Sequence, residues 1–250
     1  MSSGALSKKK DAARNQPDPS PVKGDVWVWR AIDVGSRLRV ANHLSKTREI
    51  KDAIPFIERI RQRLGQGWVL FTSDKLKAYL AALRPVFGIE QQPPPKHTGR
   101  PPKRRKVFPE GLLYGQVDKE RINGHLECVD RKAVVGTMAE IQAVLDRDGY
   151  CKVINTSLVE RDNLSLRQHN GRVVRKTLSY SKLWQMHQAS IDFDDAMHNF
   201  VRVHSSLSIK LPEPQGKCRY QRRTPAMAAG ITDHVWSVRE LVTYRLPPRL

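Results

Sequence analysis

Cysteine is scarce in this chain. Its 250 residues hold three, Cys128, Cys151 and Cys218, at wide spacings. An odd number rules against a disulfide framework, and with no pair two to four positions apart there is no zinc knuckle or ribbon. The expectation is reduced thiols in a cytosolic protein. Long apolar runs are also missing. No stretch approaches the roughly 18 residues of a membrane span, and the first residues lack the apolar centre of a secretory signal. The reading is a soluble, cytoplasmic chain with no membrane partner. Acid is the third shortage, because 25 Asp and Glu stand against 44 Lys and Arg, for a net charge of +19. Solubility alone asks for a net charge of magnitude only about 2–8 in a small domain. A polyanion, nucleic acid, is therefore the expected partner.

What is present can fold. A hydrophobic content of 39% over this length buries one sizeable core, with room for a small second lobe. Residues 1–24, with Lys8, Lys9, Lys10, Pro17, Pro19 and Pro21, have charge and proline without apolar period and are expected to be disordered. The run from Val26 to Ile32 reads as a strand buried on both faces, and Leu38, Val40 and Leu44 as its half-solvated hairpin partner. Ile50, Ala53, Ile54, Ile57, Ile60 and Leu64 recur at helical steps, predicting a helix that ends at Gly65 or Gly67. Trp68–Phe71 reads as a second buried strand, and Leu76, Tyr79, Leu80 and Leu83 as a helix that stops before Pro85.

The stretch from Gln91 to Lys106 is rich in proline and base, a loop or arm that either touches phosphate or is a solvated linker. Beyond it, Leu112–Val117 and His125–Val129 look like strands and Met138–Leu145 like a helix. A polar-capped helix starts near Ser157, and a longer one follows with Leu183, Met186, Ile191, Phe193, Ala196, Met197, Phe200 and Val201 on its apolar side. No internal repeat is present.

Three acids stand out by position. Asp33 follows a strongly apolar strand, where it either caps the turn at Gly35 and Ser36 or meets a charged partner. Asp74 follows the second strand, where it is either a helix N-cap or a second carboxylate beside the first. Two carboxylates held together need a cation or a shared proton, and a hard ion such as magnesium fits oxygen ligands. Glu160 lies in Ser157-x-x-Glu160, which is either a capping box or the site of a further ligand. Arg167 falls seven residues on, on the same helical side, with Arg172, Arg175 and Lys176 close behind, a basic stripe suited to a phosphate backbone.

Four segments, taken in order, carry a family likeness. They are Gly24 to Asp33, the strand end Phe71-Thr72-Ser73-Asp74, the run Asn155 to Leu164, and the stretch from Asn199-Phe200-Val201-Arg202-Val203-His204 to Arg223-Thr224-Pro225-Ala226-Met227-Ala228-Ala229-Gly230. Together they resemble insertion-sequence transposases of the DDE type, over about Gly24 to Trp236. The resemblance implies an α/β, RNase H-like fold, a mixed central sheet flanked by helices, in a domain covering 25–210 with an insertion at about 89–150. A basic tail, 211–250, follows.

The resemblance further implies a DNA transposase of which Asp33, Asp74 and Glu160 are the catalytic acids and hold two divalent ions, Mg2+ or Mn2+. Asp33 would bridge both ions, Asp74 would bind one and Glu160 the other. Arg167, Arg172, Arg175 and Lys176 would contact DNA, and Arg202 and His204 fall on the family's Asn-x-x-Arg-x-His element, which supports the site or touches DNA. His204 as a satisfied core histidine stays open beside that role. Transposon ends and target DNA are the implied partners, with a homo-oligomer as the active complex. The gap between Asp74 and Glu160 is about twice that between Asp33 and Asp74. Family members also usually carry a DNA-reading segment ahead of the catalytic domain. The expectation is an enzyme that cleaves and transfers DNA strands, and the alternative is a truncated or domesticated remnant that binds DNA without cutting it.

Overall fold

The computed structural model describes residues 2–5, 25–65, 69–94, 103–123, 125–174, 178–215 and 218–245. Trp68, Arg100, Arg175 and Lys176 lie outside them, as do residues 6–24 of the expected tail. The elements begin with β1 (Ser2–Ala5), β2 (Asp25–Ile32), β3 (Arg39–Ser45), α1 (Ile50–Arg63), β4 (Val69–Asp74) and α2 (Lys77–Phe87). Next come β5 (Ile89–Gln91), β6 (Arg105–Val107), β7 (Leu112–Ile122), β8 (His125–Val135), α3 (Met138–Asp148) and α4 (Ser157–His169). The chain closes with α5 (Trp184–Ala196), a π-helical turn (Met197–Val201), β9 (His204–Gln215), β10 (Cys218–Arg223), α6 (Pro225–Ala228) and α7 (Val238–Thr243). The protein is thus mixed α/β, and it divides into two compact units, 1–46 with 161–250, and 47–160.

In the first unit β2 is the middle strand of an antiparallel sheet between β1 and β3. Ser2–Ala5 is therefore a strand rather than part of a disordered tail, running from Ser2 opposite Val28 to Ala5 opposite Asp25. The cause is the open edge of β2, whose backbone N–H and C=O groups need partners whatever the side chains on the pairing segment. One face of β2 and β3 carries Val26, Val28 and Leu44, which pack with Leu166 of α4, Val173 and Ile191 of α5 into a small apolar core. The same face continues as Arg30 opposite Asn42 and then Arg39 opposite Ile32.

Those arginines decide how α5 packs. Its buried residues are His187, Ile191, Asp194 and Asp195, while Leu183, Met186 and Phe193, expected inside, are about half exposed. A buried guanidinium facing an apolar stripe would be left unpaired, so the helix turns its carboxylates inward. At the end of this unit, the region read as a basic tail folds through residue 245. Trp236 packs against Phe200 and Tyr244, and its backbone N–H donates to the Phe200 carbonyl at 3.0 Å.

In the second unit β7 is the middle strand between a parallel β4 and an antiparallel β8. Leu113 and Val117 of β7, Ile141 of α3 and Ile154 form its core. Gly115 sits where a Cβ would come within 2.7 Å of Ile154, so glycine lets the chain leading into α4 lie close on the strand. Helices α1 and α2 pack on each other through buried Ala53, Phe56, Ile57 and Ile60 on one side and Ala78, Ala82, Leu83 and Val86 on the other. Contrary to expectation α2 does not stop before Pro85 but runs through it to Phe87. Pro85 lies in the last turn, where side chains meet carbonyls that the helix leaves open. Lys106 Nζ donates to the Pro85 carbonyl at 2.7 Å, and Arg61 donates to that of Val86.

The basic stretch is not wholly a loop, since β5 and β6 pair antiparallel at its base, with Arg104, Arg105 and Lys106 exposed. Among the described residues the strands form four separate small sheets rather than one central mixed sheet. Asp33 and Asp74 thus end strands of different sheets. The segment expected as an insertion, 89–150, lies within the second unit together with Asp74.

Candidate active site

Asp33 directly follows β2, in the first unit, and its side chain is exposed. Its backbone N–H donates to the Leu38 carbonyl at 2.8 Å, closing the hairpin. Its Oδ2 accepts from the Ser36 backbone N–H at 2.7 Å and from the Ser36 hydroxyl at 2.5 Å. The turn-capping role is therefore real, and one oxygen performs all of it. Oδ1 has no hydrogen-bond partner among the described residues.

Asp74 is the last residue of β4, in the second unit, opposite Val117 of β7, and is also exposed. Its Oδ1 accepts a long contact from the Leu76 backbone N–H at 3.4 Å, a weak tie for an N-cap. Beneath it the hydroxyls of Ser73 and Tyr114 meet at 2.7 Å. Burial, and then the nearby Asp74 charge, pushes the Tyr79 phenol well above its ordinary pKa. Burial does the same for Tyr114, against the opposing hydrogen bonds from Ser73 and Gln116. One step beyond Val117 on β7, Asp118 pairs with Lys75.

Glu160, in the first turn of α4, is exposed as well. The anticipated capping box is not made. Ser157 is already helical and its hydroxyl donates to Asn155 Oδ1 at 2.8 Å, so Glu160 sits one position too far along to complete the box. Instead Glu160 Oε1 accepts from the Thr156 hydroxyl at 2.7 Å and from Lys119 Nζ at 2.5 Å. Partial burial pulls the Glu160 carboxyl up, but the Lys119 and Thr156 hydrogen bonds outweigh it and hold its pKa below the ordinary value.

The other sequence-selected residues divide. Arg167 is half-buried in the last turn of α4. Arg172 donates to the buried Ser181 hydroxyl at 3.3 Å. Arg202 donates to Asp194 Oδ1 at 2.9 Å, so its head is tied to an acid. Asn199 clamps the backbone of Arg39, accepting its N–H at 2.9 Å and donating to its carbonyl at 3.1 Å. His204 stacks edge-on against His198 at 4.6 Å between centroids, and its Nε2 is buried with no hydrogen-bond partner among the described residues. Burial, reinforced by Arg39, keeps the His204 imidazole below its ordinary pKa.

Sequence reasoning missed the buried ionic cluster that these last residues join. Arg30 meets Asp162 at 2.7 Å and Asp195 at 3.0 Å, while Arg39 meets Asp162 and Asp194 at 2.7 Å and Asp195 at 3.2 Å. Burial raises the Asp162 carboxyl, yet Arg30 and Arg39 together hold its pKa below the ordinary value. Both oxygens of Asp194 and Asp195 and Oδ1 of Asp162 accept hydrogen bonds or ion pairs, while Asp162 Oδ2 lies 2.7 Å from Arg30 without a hydrogen bond. The available signal was Arg30 itself, which shares the inward alternation of Val26 and Val28.

Carboxylate oxygens are the donor set a hard divalent ion takes. Asp33, Asp74 and Glu160 meet that requirement residue by residue, because each directs its protein contacts through one oxygen and is exposed. Within either unit no three His, Cys, Asp or Glu of the described residues converge as a metal-holding group. No described helix is long and apolar enough to cross a membrane, and the three cysteines are free thiols. Comparison with family models, curated proteins and solved structures gives no match in any of the three.

Proposed function

We propose that the chain is a DDE-type transposase, a metal-dependent nucleotidyl transferase acting on DNA, with Asp33, Asp74 and Glu160 as its ion-holding acids. The observation that carries this reading is a contrast among carboxylates. The buried acids Asp162, Asp194 and Asp195 meet arginine or asparagine at both oxygens, by hydrogen bond at every one but Asp162 Oδ2, which Arg30 faces as an ion pair. Asp33, Asp74 and Glu160 each end or open an element, stay exposed and keep one oxygen uncommitted among the described residues. The RNase H-like core belongs to the proposal through the sequence resemblance alone. The net charge of +19 supports DNA as the partner.

The reaction is in-line displacement at a DNA phosphodiester. Water attacks first and frees a 3′ hydroxyl, and that hydroxyl then attacks target DNA. Two divalent ions, Mg2+ or Mn2+, would supply charge neutralisation at the phosphate and a lowered pKa for the attacking oxygen. The chain's own part is to present the three carboxylates and to hold the DNA backbone through its basic side chains, Arg167 among them.

A second reading is a transposase remnant that binds DNA without cutting it. The Lys119–Glu160 ion pair favours it, because the ammonium takes the place a cation would have on that carboxylate. An assay of end-labelled duplex DNA with and without magnesium separates the two. Magnesium-dependent nicking supports the transferase, and binding with no nicking in Mg2+ or Mn2+ supports the remnant.

A further inference from the structure

Strands β9 and β10 pair only with each other among the described residues, as a two-stranded antiparallel ribbon. Such a ribbon buries little and is marginal on its own, so its root must be held. Arg223, opposite His204 at that root, donates to the Met227 carbonyl at 2.7 Å, and Thr224 caps buried α6. Away from the root the side chains are open. Tyr220 pairs across the ribbon with Lys210 and Gln221 with Ile209, and the register shifts on either side of these two pairs, where β9 carries the extra residues. Along β10 itself the two-residue alternation puts Arg222 on the side of Tyr220, while Arg219 and Gln221 take the other.

Lys210, Arg219 and Arg222 are exposed, Tyr220 is 58% exposed, and no carboxylate of the described residues is ion-paired with any of those three cations. Over 204–213 and 218–223 Glu213 is the sole acid, against Lys210, Arg219, Arg222 and Arg223. An aromatic ring set between two cations on an open face suits neither a core nor a protein interface that must bury apolar area. It suits a sugar–phosphate chain, where the cations neutralise phosphates and the ring packs on sugar or base. A two-stranded ribbon also has the width that the major groove of duplex DNA admits, roughly 12 Å.

We propose that the β9–β10 ribbon docks on duplex DNA through the face formed by Lys210, Tyr220 and Arg222. The inference rests on DNA being the partner but is independent of Asp33, Asp74 and Glu160. The test is binding of a labelled random duplex by the whole chain at several salt concentrations, for wild type, Lys210→Gln/Arg222→Gln, Arg219→Gln and the charge-keeping Lys210→Arg/Arg222→Lys. Loss of two phosphate contacts lowers the slope of log affinity against log salt by about 1.8 and weakens binding at least roughly tenfold near 0.1 M.

Arg219→Gln, on the opposite face, should change the slope by less than half as much, and the charge-keeping variant should bind as wild type. Circular dichroism of each variant should match wild type, since the altered side chains are exposed. If the double Gln variant binds like wild type, or no more weakly than Arg219→Gln, the ribbon face is overturned while DNA binding stands. A tighter grip on single-stranded RNA of equal length, lost in the double variant, overturns the duplex as occupant. If the wild-type chain holds no duplex at 0.1 M salt, the DNA reading itself fails and the ribbon proposal falls with it.

Discussion

Arg39 on β3 holds Asp162 on α4 at 2.7 Å through Nε, with the two side chains 1% and 4% exposed. The other arm of the same guanidinium reaches Asp194 at 2.7 Å and Asp195 at 3.2 Å, so a single planar fork serves three acids on two helices. Removing it strands buried carboxylates. Arg39→Met should therefore cost about 3–5 kcal/mol, the loss typical of breaking a buried pair from one side. Arg39→Lys keeps the charge without the fork and should recover only part of it. Urea unfolding followed by circular dichroism measures both, and a loss below about 1 kcal/mol for the Met variant would refute the cluster as a structural keystone.

Two buried histidines give the fold an acid limit. Burial holds the His198 imidazole down to about 3 and that of His187 to about 4, against an unfolded value of 6.5. Between pH 6.5 and those values the unfolded chain binds protons that the folded chain refuses, so stability falls as pH falls. Each histidine contributes a slope of up to about 1.4 kcal/mol per pH unit. Asp162, held low, adds a loss only below the ordinary carboxylate pKa, whereas Asp195, raised by burial, works in the opposite sense. From these two rings urea midpoints at pH 7 and pH 5 should differ by the equivalent of up to about 4 kcal/mol, and His198→Gln should remove part of the difference, with His187 and His204, whose imidazole is also held below its ordinary value, keeping the rest. Equal midpoints at the two values would mean that these rings are not kept neutral.

Asp33→Asn separates a turn-capping aspartate from an ion-holding one. Asparagine still accepts the Ser36 N–H through its carbonyl oxygen, so the turn and the melting temperature should persist. Cleavage and strand transfer should disappear together, and DNA affinity should hold or rise because a negative charge is gone. Strand joining near the wild-type rate would remove Asp33 from the proposed site.

Element existence was legible where one period dominated. The steps of Ile57 and Ile60 marked α1, and the helix expected over Met138–Leu145 is there as α3, which the structure bounds with a Thr137–Glu140 capping box and with Gly149 in the left-handed region. Asn123, after β7, has the positive φ that tight hairpin turns need, and β7 and β8 both run longer than their apolar residues suggested. What misled was the assumption that apolar means inside. On α5 Phe193 lies out and Asp194 in, because the arginines of the facing sheet set the polarity of the interface, and no pattern within the helix reports what faces it.

The candidate acids were legible as positions and not as environments. That Asp33 follows one strand and Asp74 ends another followed from turn residues after apolar runs. That Lys119, far away in sequence, would settle on Glu160 followed from the β7 register, which fixes where Lys119 lies beyond Val117 and Asp118 and which local sequence does not specify.

The Lys119–Glu160 pair supplies the sharpest test. Glu160→Gln keeps an oxygen for the Thr156 hydroxyl and removes the charge shared with Lys119. The pair is partly exposed, with Glu160 at 54%, so its loss should cost no more than about 1 kcal/mol and the melting temperature should barely move. A hard ion, in contrast, needs the anionic oxygen. As a ligand, Glu160 replaced by Gln should abolish magnesium-dependent cleavage in a protein that is otherwise intact. Lys119→Met is the companion variant. If Lys119 only blocks the carboxylate, as in the remnant, Met should create or raise magnesium-dependent nicking; if Lys119 gives way to the ion in the working enzyme, Met should leave cleavage within a few-fold of wild type and lower the magnesium concentration it requires. A Glu160→Gln chain that still cuts DNA in magnesium would remove the third acid and with it the transposase assignment.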